Sequence, residues 1–249
     1  MLGGKGISSI ISMVVITATL LIILIVASFF ATNMLEIQVQ NSEFEQAKTA
    51  MQLLDKTIMD VSLRRGAASS VQFNQRSGGI GLYEGNPLNI RIIDNLTSEI
   101  LWNATVNPSY VIKYRGGSMA SAAEVNLTSS SELIIKDPSK SMGYVRTEVN
   151  NGVWVVLDYN RVRVIENSSL KTIEIYLIRL ARSERFGGSG TVTVRVQNKA
   201  INPLFSGSLN NNATLYVQVS GLSIPPASYS LQEGFIVRVM ETLIEVSIV

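Results

Sequence analysis

The chain has no cysteine and no histidine among its 249 residues. Without cysteine there is no disulfide, no thiol nucleophile and no thiolate metal site, so stability has to come from packing or assembly. Without histidine there is no imidazole base, no Ser-His-Asp triad and no ordinary zinc site. Charge of either sign is sparse and interspersed: 21 Lys and Arg against 19 Asp and Glu leave a net of +2. No basic run tracks a phosphate backbone, so nucleic acid is not an expected partner.

The remaining polar residues offer little chemistry. Asp94, Glu99, Asp137, Asp158 and Glu166 are scattered and lack the Asp-x-Asp-x-Asp spacing of a calcium loop. Residues 78–85 are glycine-rich, but they lack the Gly-Lys-Ser/Thr ending of a phosphate loop and precede no helical pattern. They read as a hairpin or loop. Residues 110–119 read as a strand ending in a turn, and Trp102 and Trp154 as core or rim aromatics. The expectation is a chain that is not an enzyme and uses neither metal nor cofactor.

What the chain does have is an uncharged run over residues 6–35. As a helix it is about 45 Å long, more than the roughly 30 Å of a bilayer hydrocarbon core. Within residues 10–30, Ser12, Thr17, Thr19 and Ser28 are the mild polar interruptions, and such hydroxyls can bond back to the preceding turn. Ile10, Val14, Leu21, Leu24, Val26 and Phe30 are the candidate apolar assembly residues of this segment. A secretory signal has a shorter apolar stretch and a small-x-small cleavage site, whereas here Phe29 and Phe30 occupy that end. Lys5 precedes the run and Glu36 is the first charge after it, which places the amino terminus in the cytoplasm and the rest outside.

An amphipathic pattern follows directly. Phe44, Ala47, Met51, Leu54, Ile58 and Val61 are spaced 3-4-3-4-3 and share one helical face, a candidate helix–head packing stripe. Glu43, Glu45, Lys48, Gln52, Asp55, Lys56 and Asp60 are expected on the other faces. No proline or glycine interrupts residues 7–65, Arg64 and Arg65 suit the negative end of the dipole, and Gly66 suits a left-handed C-terminal cap. The spacing predicts one helix of about 88 Å. The stripe is equally compatible with a juxtamembrane helix lying on its own domain or a short dimeric coiled coil.

From Gly66 on, the period changes to two. Candidate strands cover residues 89–93, 110–114, 132–136, 143–149, 153–159, 161–165, 172–180, 191–197, 215–219, 235–239 and 242–249, separated by Gly, Asn, Ser and Pro clusters. The fold class is α+β: a long N-terminal hydrophobic then amphipathic α-helix, followed by an all-β head that is sandwich-like, Ig-like or barrel-like. The glycines around Gly187 are a candidate boundary between two β subdomains, and the apolar end (Ile244, Val246, Ile248, Val249) reads as a final strand tucked into a sheet. Five Asn-x-Ser/Thr sequons, at Asn95, Asn103, Asn126, Asn167 and Asn212, are candidate N-glycosylation sites on an exported chain.

Lys5-Gly6 followed by Ile7-Ser8 and the apolar run resembles the class III, prepilin-type signal of archaeal type IV pilins and archaellins. The resemblance implies a leader of residues 1–6, cut by a membrane prepilin peptidase between Gly6 and Ile7. It further implies a helix over 7–66 (membrane span 7–33, amphipathic part 34–66) and a head over 67–249. Bacterial type IV pilins carry Glu at the fifth mature position, where this chain has Ile11, so the likeness is to the archaeal branch. Residues 45–73 are similar to the stretch after the membrane helix in larger archaeal pilin-like proteins, where a small-residue turn leads into the first strand. The implied function is a structural subunit that self-associates into an extracellular filament with the help of pilus assembly machinery. The membrane holds the precursor, and a glycosylated head contacts other filaments or a host or cell-surface receptor. A minor or tip pilin and a pseudopilin of a secretion machine fit the same features. The alternative is a single-pass anchored envelope protein, stator-like or a binding module, that never polymerises.

Overall fold

The computed structural model describes residues 5–128, 131–186, 188, 190–221 and 225–249, the side chains of 5–10, 185 and 186 excepted. Among these residues one helix, α1 (Lys5–Ser62), precedes fourteen strands: β1 (Ala68–Gln75), β2 (Gly79–Glu84), β3 (Leu88–Asp94), β4 (Ile100–Val106), β5 (Tyr110–Arg115), β6 (Ile134–Ile135), β7 (Tyr144–Val149), β8 (Val153–Asp158), β9 (Val162–Asn167), β10 (Thr172–Phe186), β11 (Gly190–Ser208), β12 (Ala213–Val219), β13 (Ala227–Leu231) and β14 (Ile236–Ile248). The class is α+β, a long apolar helix followed by a β head.

The helix is continuous because nothing in it breaks one. Its threonine hydroxyls are satisfied internally: Thr17 Oγ1 donates to Met13 O at 2.7 Å and Thr19 Oγ1 to Val15 O at 2.8 Å. It ends at Ser62, short of the expected Arg65, and the cause is a residue far away in sequence. Asn198 of β11 donates through Nδ2 to the carbonyls of Val61 (3.2 Å) and Ser62 (3.1 Å), two of the groups a helix leaves open at its C-terminus. Gly66 is left-handed (φ 80°), but it serves the turn into β1, where its N–H donates to Asn198 O. Arg64 and Arg65 lie exposed beyond the helix end rather than in its last turn.

The strands form three sheets. A six-stranded sheet has the order β1-β11-β14-β10-β9-β6, with β10–β14 and β6–β9 parallel and its other pairs antiparallel. Two four-stranded sheets have the orders β13-β12-β3-β4 and β2-β5-β8-β7. The expected strands 235–239 and 242–249 are one strand, β14, whose apolar end is buried between β10 and β11. The expected strand 132–136 is only the two residues of β6, and most of the glycine-rich segment, expected as a hairpin or loop, forms β2. Strand β11 runs on through Pro203, tolerated there because β1 pairs only with its first half and a register shift lies between Pro203 and Phe205.

The long strands bury opposite faces at their two ends. In β10, Ile173, Ile175 and Leu177 enter one core while Ile178 and Leu180 enter another; in β14 the division is Val237 and Val239 against Ile244, Val246 and Ile248. Successive residues of a strand face opposite sides, so a change from odd to even positions moves burial from one face of the sheet to the other. The change falls on two adjacent pairs, Leu177 with Glu241 and Ile178 with Thr242, all four buried. Glu241 lies there 2.9 Å from the Arg179 guanidinium. In β11, register shifts after Asn198 and after Pro203 accommodate the same exchange.

One core therefore lies between one end of the large sheet and the β13-β12-β3-β4 sheet. The other joins the opposite end and face to α1 and the β2-β5-β8-β7 sheet. Both β10 and β11 contribute to both cores, so the head is not divided into two at the expected boundary near Gly187. Gly187 itself lies outside the described residues.

Candidate assembly helix and its seat on the head

The helix has two unlike halves. Every side chain from Ile11 to Thr32 is exposed, including Val14, Leu21, Leu24, Val26 and Phe30 of the candidate assembly set. Leu24 is 62% and Phe30 66% exposed, on a segment long and apolar enough to cross a membrane. Burying such a side chain is worth about 1.5–3 kcal/mol, so a bare run of this length needs hydrocarbon or other apolar helices around it. Gly6 and Ile7 fall in the first turns of α1, where the side chains, like that of Ile10, lie outside the described residues, as do residues 1–4 altogether.

The second half is seated in the head. Phe44, Ala47, Met51, Leu54, Ile58 and Val61 are all buried. They share one core with Val71 and Phe73 of β1, Val192, Val194 and Val196 of β11, and Ile112, Val155 and Leu157 of the β2-β5-β8-β7 sheet. Gln40 lies on the same face, one turn before Phe44; its Oε1 accepts from Met119 N at 2.8 Å and its Nε2 donates to Glu36 at 2.9 Å.

Glu43 and Asp55, expected on solvent faces, are buried at 5% and 3% exposure. Each carboxylate is gripped by a tyrosine and a serine of the head. Glu43 accepts from Tyr114 OH at 2.7 Å, from Ser77 Oγ, and from the N–H groups of Ser77 (3.1 Å) and Gly78 (3.2 Å). Asp55 accepts from Tyr159 OH at 2.7 Å and from Ser141 Oγ. The helical wheel carries a signal for the first: Glu43 is 18 residues before Val61, about five turns, and so has the same angular position as a stripe residue. Nothing local marks Tyr114 or Tyr159 as their partners, or Asn198 as the partner of the helix end.

The two carboxylates differ electrostatically. Burial pushes Glu43 up, but the hydrogen bonds from Ser77, Tyr114 and Gly78 outweigh it and hold the group below its ordinary range. At Asp55 burial prevails over the bonds from Ser141 and Tyr159 and over the Arg161 charge, and the pKa is raised. Burial and the adjoining carboxylates raise both tyrosines, Tyr114 and Tyr159.

The five sequon asparagines, Asn95, Asn103, Asn126, Asn167 and Asn212, are all exposed. In four of them Oδ1 is occupied, by Thr214 Oγ1 (Asn95, 2.8 Å), Tyr144 OH (Asn126, 2.6 Å), Leu170 N (Asn167, 3.1 Å) and Glu233 N (Asn212, 2.9 Å), which leaves Nδ2 as the other branch. Trp102 packs on Phe205 at 5.9 Å between ring centroids, and half-buried Trp154 lies beside Tyr83 and under the Arg115 guanidinium. Among the described residues no group of three or more acidic side chains gathers as a metal site.

Compared with known proteins, the chain matches no family model, no curated protein and no solved structure.

Proposed function

We propose that this chain is the structural subunit of a type IV pilus-like extracellular filament. The observation that carries the reading is the division of α1: a bare apolar half from Ile11 to Leu35, rigidly continuous with a half bolted into the head. A membrane holds the bare half in the precursor. After a prepilin peptidase cuts between Gly6 and Ile7, assembly machinery transfers the subunit into a filament, where identical helices replace lipid as the apolar surroundings. Helix association of this kind runs on close packing and needs no polar partner. Because the other half is locked to the head, the pull on each subunit passes into the β sheets.

The heads face outward. Their exposed sequons support a glycosylated surface for solubility, bundling or contact with a cell-surface receptor. The role is structural, with no reaction and no cofactor in it.

The test is N-terminal sequencing of material sheared from cells. Filaments whose subunits begin at Ile7 support the proposal. A chain with intact Met1, found only in membrane fractions, replaces it with a non-polymerising anchored protein that carries an exported β domain.

A further inference from the structure

The glycine-rich segment takes no part in the filament reading, yet the fold gathers it with other glycines. Pairing of β2 with β5 sets Gly79 opposite Arg115, which brings Gly78-Gly79 beside Gly116-Gly117, and the β7–β8 turn adds Gly152. They floor an open pocket of about 690 Å³ whose side-chain lining includes Ser77, Tyr83, Arg115, Ser118 and Asn151.

Four of these glycines have reasons internal to the fold. A Cβ on Gly78 would stand 2.4 Å from Arg115 O, one on Gly116 2.6 Å from Val153 Cγ2, and one on Gly117 2.4 Å from Gln40 Oε1, while Gly152 has φ 119°. Gly79 has none. A Cβ there meets nothing within 4 Å, and its backbone is not left-handed. The space in front of Gly79 belongs to the pocket.

Arg115 is the one charged residue of the lining. Its guanidinium donates to Asn151 O at 3.4 Å and lies 5.6 Å from the centre of the Trp154 ring, and no carboxylate pairs with it among the described residues. The nearby acids are occupied: Glu148 by Arg146 (2.7 Å) and Lys113 (3.7 Å), and Glu43 by Ser77, Gly78 and Tyr114. The pocket is thus cationic, with open space in front of Gly79 beside the charge.

Its height is set by the helix. The loop after Gly117 bonds to Gln40 through Met119 N, and Gln40 is five residues past Leu35, the end of the uncharged run. Five residues are about 8 Å of helix, comparable with the polar headgroup layer outside a hydrocarbon core.

We infer that this pocket takes the phosphate of an anionic lipid headgroup while the apolar half of α1 is in a bilayer. Arg115 supplies the charge, and the missing side chain at Gly79 lets the phosphate reach the backbone. Bound headgroup holds the head down on the membrane before assembly. The inference rests on the membrane-held precursor of the filament reading.

The test uses the full chain with Trp102→Phe, so that Trp154 is the one tryptophan and its emission reports on Arg115. The chain is placed in nanodiscs of phosphatidylcholine, with or without phosphatidylglycerol, and separately titrated with inorganic phosphate in non-ionic detergent. The expected result is a Trp154 emission change in the phosphatidylglycerol discs that is absent with phosphatidylcholine alone. Gly79→Val abolishes it without lowering thermal stability, because its side chain enters open space, and Arg115→Gln weakens it about tenfold, the loss of one charge-assisted contact. An unchanged response in Gly79→Val, or no response in either disc, overturns the inference. An equal response to inorganic phosphate alone overturns the lipid as its source. A chain that stays outside the discs sinks the membrane reading itself, while the detergent titration still reads the pocket.

Discussion

The hydroxyl of Tyr114, on β5, donates a 2.7 Å hydrogen bond to Oε1 of Glu43, on α1, across 71 residues of sequence. Both groups are buried. The bond sets the rotation and register of the helix against the sheet, because a slip of one residue turns Glu43 about 100° away. Ser77 Oγ and the Ser77 and Gly78 N–H groups would then lose their acceptor, and the Tyr114 hydroxyl would keep only Asn74 O, at 2.9 Å.

Glu43→Gln should therefore lower stability by about 1.5–3 kcal/mol, the range for hydrogen bonds to a charged group. Tyr114→Phe should cost less, since Glu43 keeps its bonds from Ser77 and Gly78. Chemical unfolding of the full chain in detergent measures both. Wild-type stability in Glu43→Gln would refute the latch.

The two buried carboxylates should respond to pH in opposite directions. Glu43 is held below its ordinary value of 4.5, so its contribution is complete above that value and is lost as pH falls through the lower folded pKa. Asp55 is raised above 3.8, so its contribution is complete below 3.8 and is lost as pH rises through the folded pKa. Asp55→Asn should accordingly cost least near neutrality, and Glu43→Gln should cost most there. Unfolding midpoints of the two variants across the acid range decide it; parallel profiles would contradict the assignment.

Asn198 links the end of the helix to β11 through both of its amide hydrogens. Asn198→Ala removes both bonds, leaving Val61 O with only the Arg64 N–H at 3.3 Å, and should cost about 1–3 kcal/mol. Asn198→Asp should cost more, because it sets an acceptor against two acceptors. Hydrogen exchange of residues 58–62 should rise in both variants before the rest of α1 is affected.

The halves of the helix should separate by mutation. Phe44→Ala empties a core site and should cost about 3–5 kcal/mol of stability. A lysine at Leu21 or Val26 touches nothing in the head, so the unfolding transition should stay in place while filaments disappear. Electron microscopy of sheared material from cells carrying each variant reads the second effect. Filaments surviving both Leu21→Lys and Val26→Lys would rule out a core of packed apolar helices.

Much of the molecule was legible from local pattern. The uncharged run, the 3-4-3-4-3 stripe and the absence of Pro and Gly specify α1, because a helix closes its own hydrogen bonds and needs nothing distant to exist. Strict alternation likewise marked residues 191–197 and 215–219 as strands. Strand β2 shows no alternation because Gly79 and Gly81 within it and Gly78 and Gly85 at its flanks have no side chain to alternate. Strand β4 escaped because most of its residues are exposed. The pocket at Gly79 was invisible for a related reason: two glycine pairs acquire meaning only when strand pairing sets them side by side.

The helix, its division into an apolar and an amphipathic half, and the β character of the rest follow from local pattern, since each depends on periodicity within a few residues. The tertiary structure alone decided that Glu43 and Asp55 turn inward, that Asn198 stops the helix, and that β10, β11 and β14 serve two cores on opposite faces. Those outcomes depend on partners many tens of residues away. A buried carboxylate is tolerable only where donors converge on it, and which face of a strand is inside depends on which sheet comes to cover it.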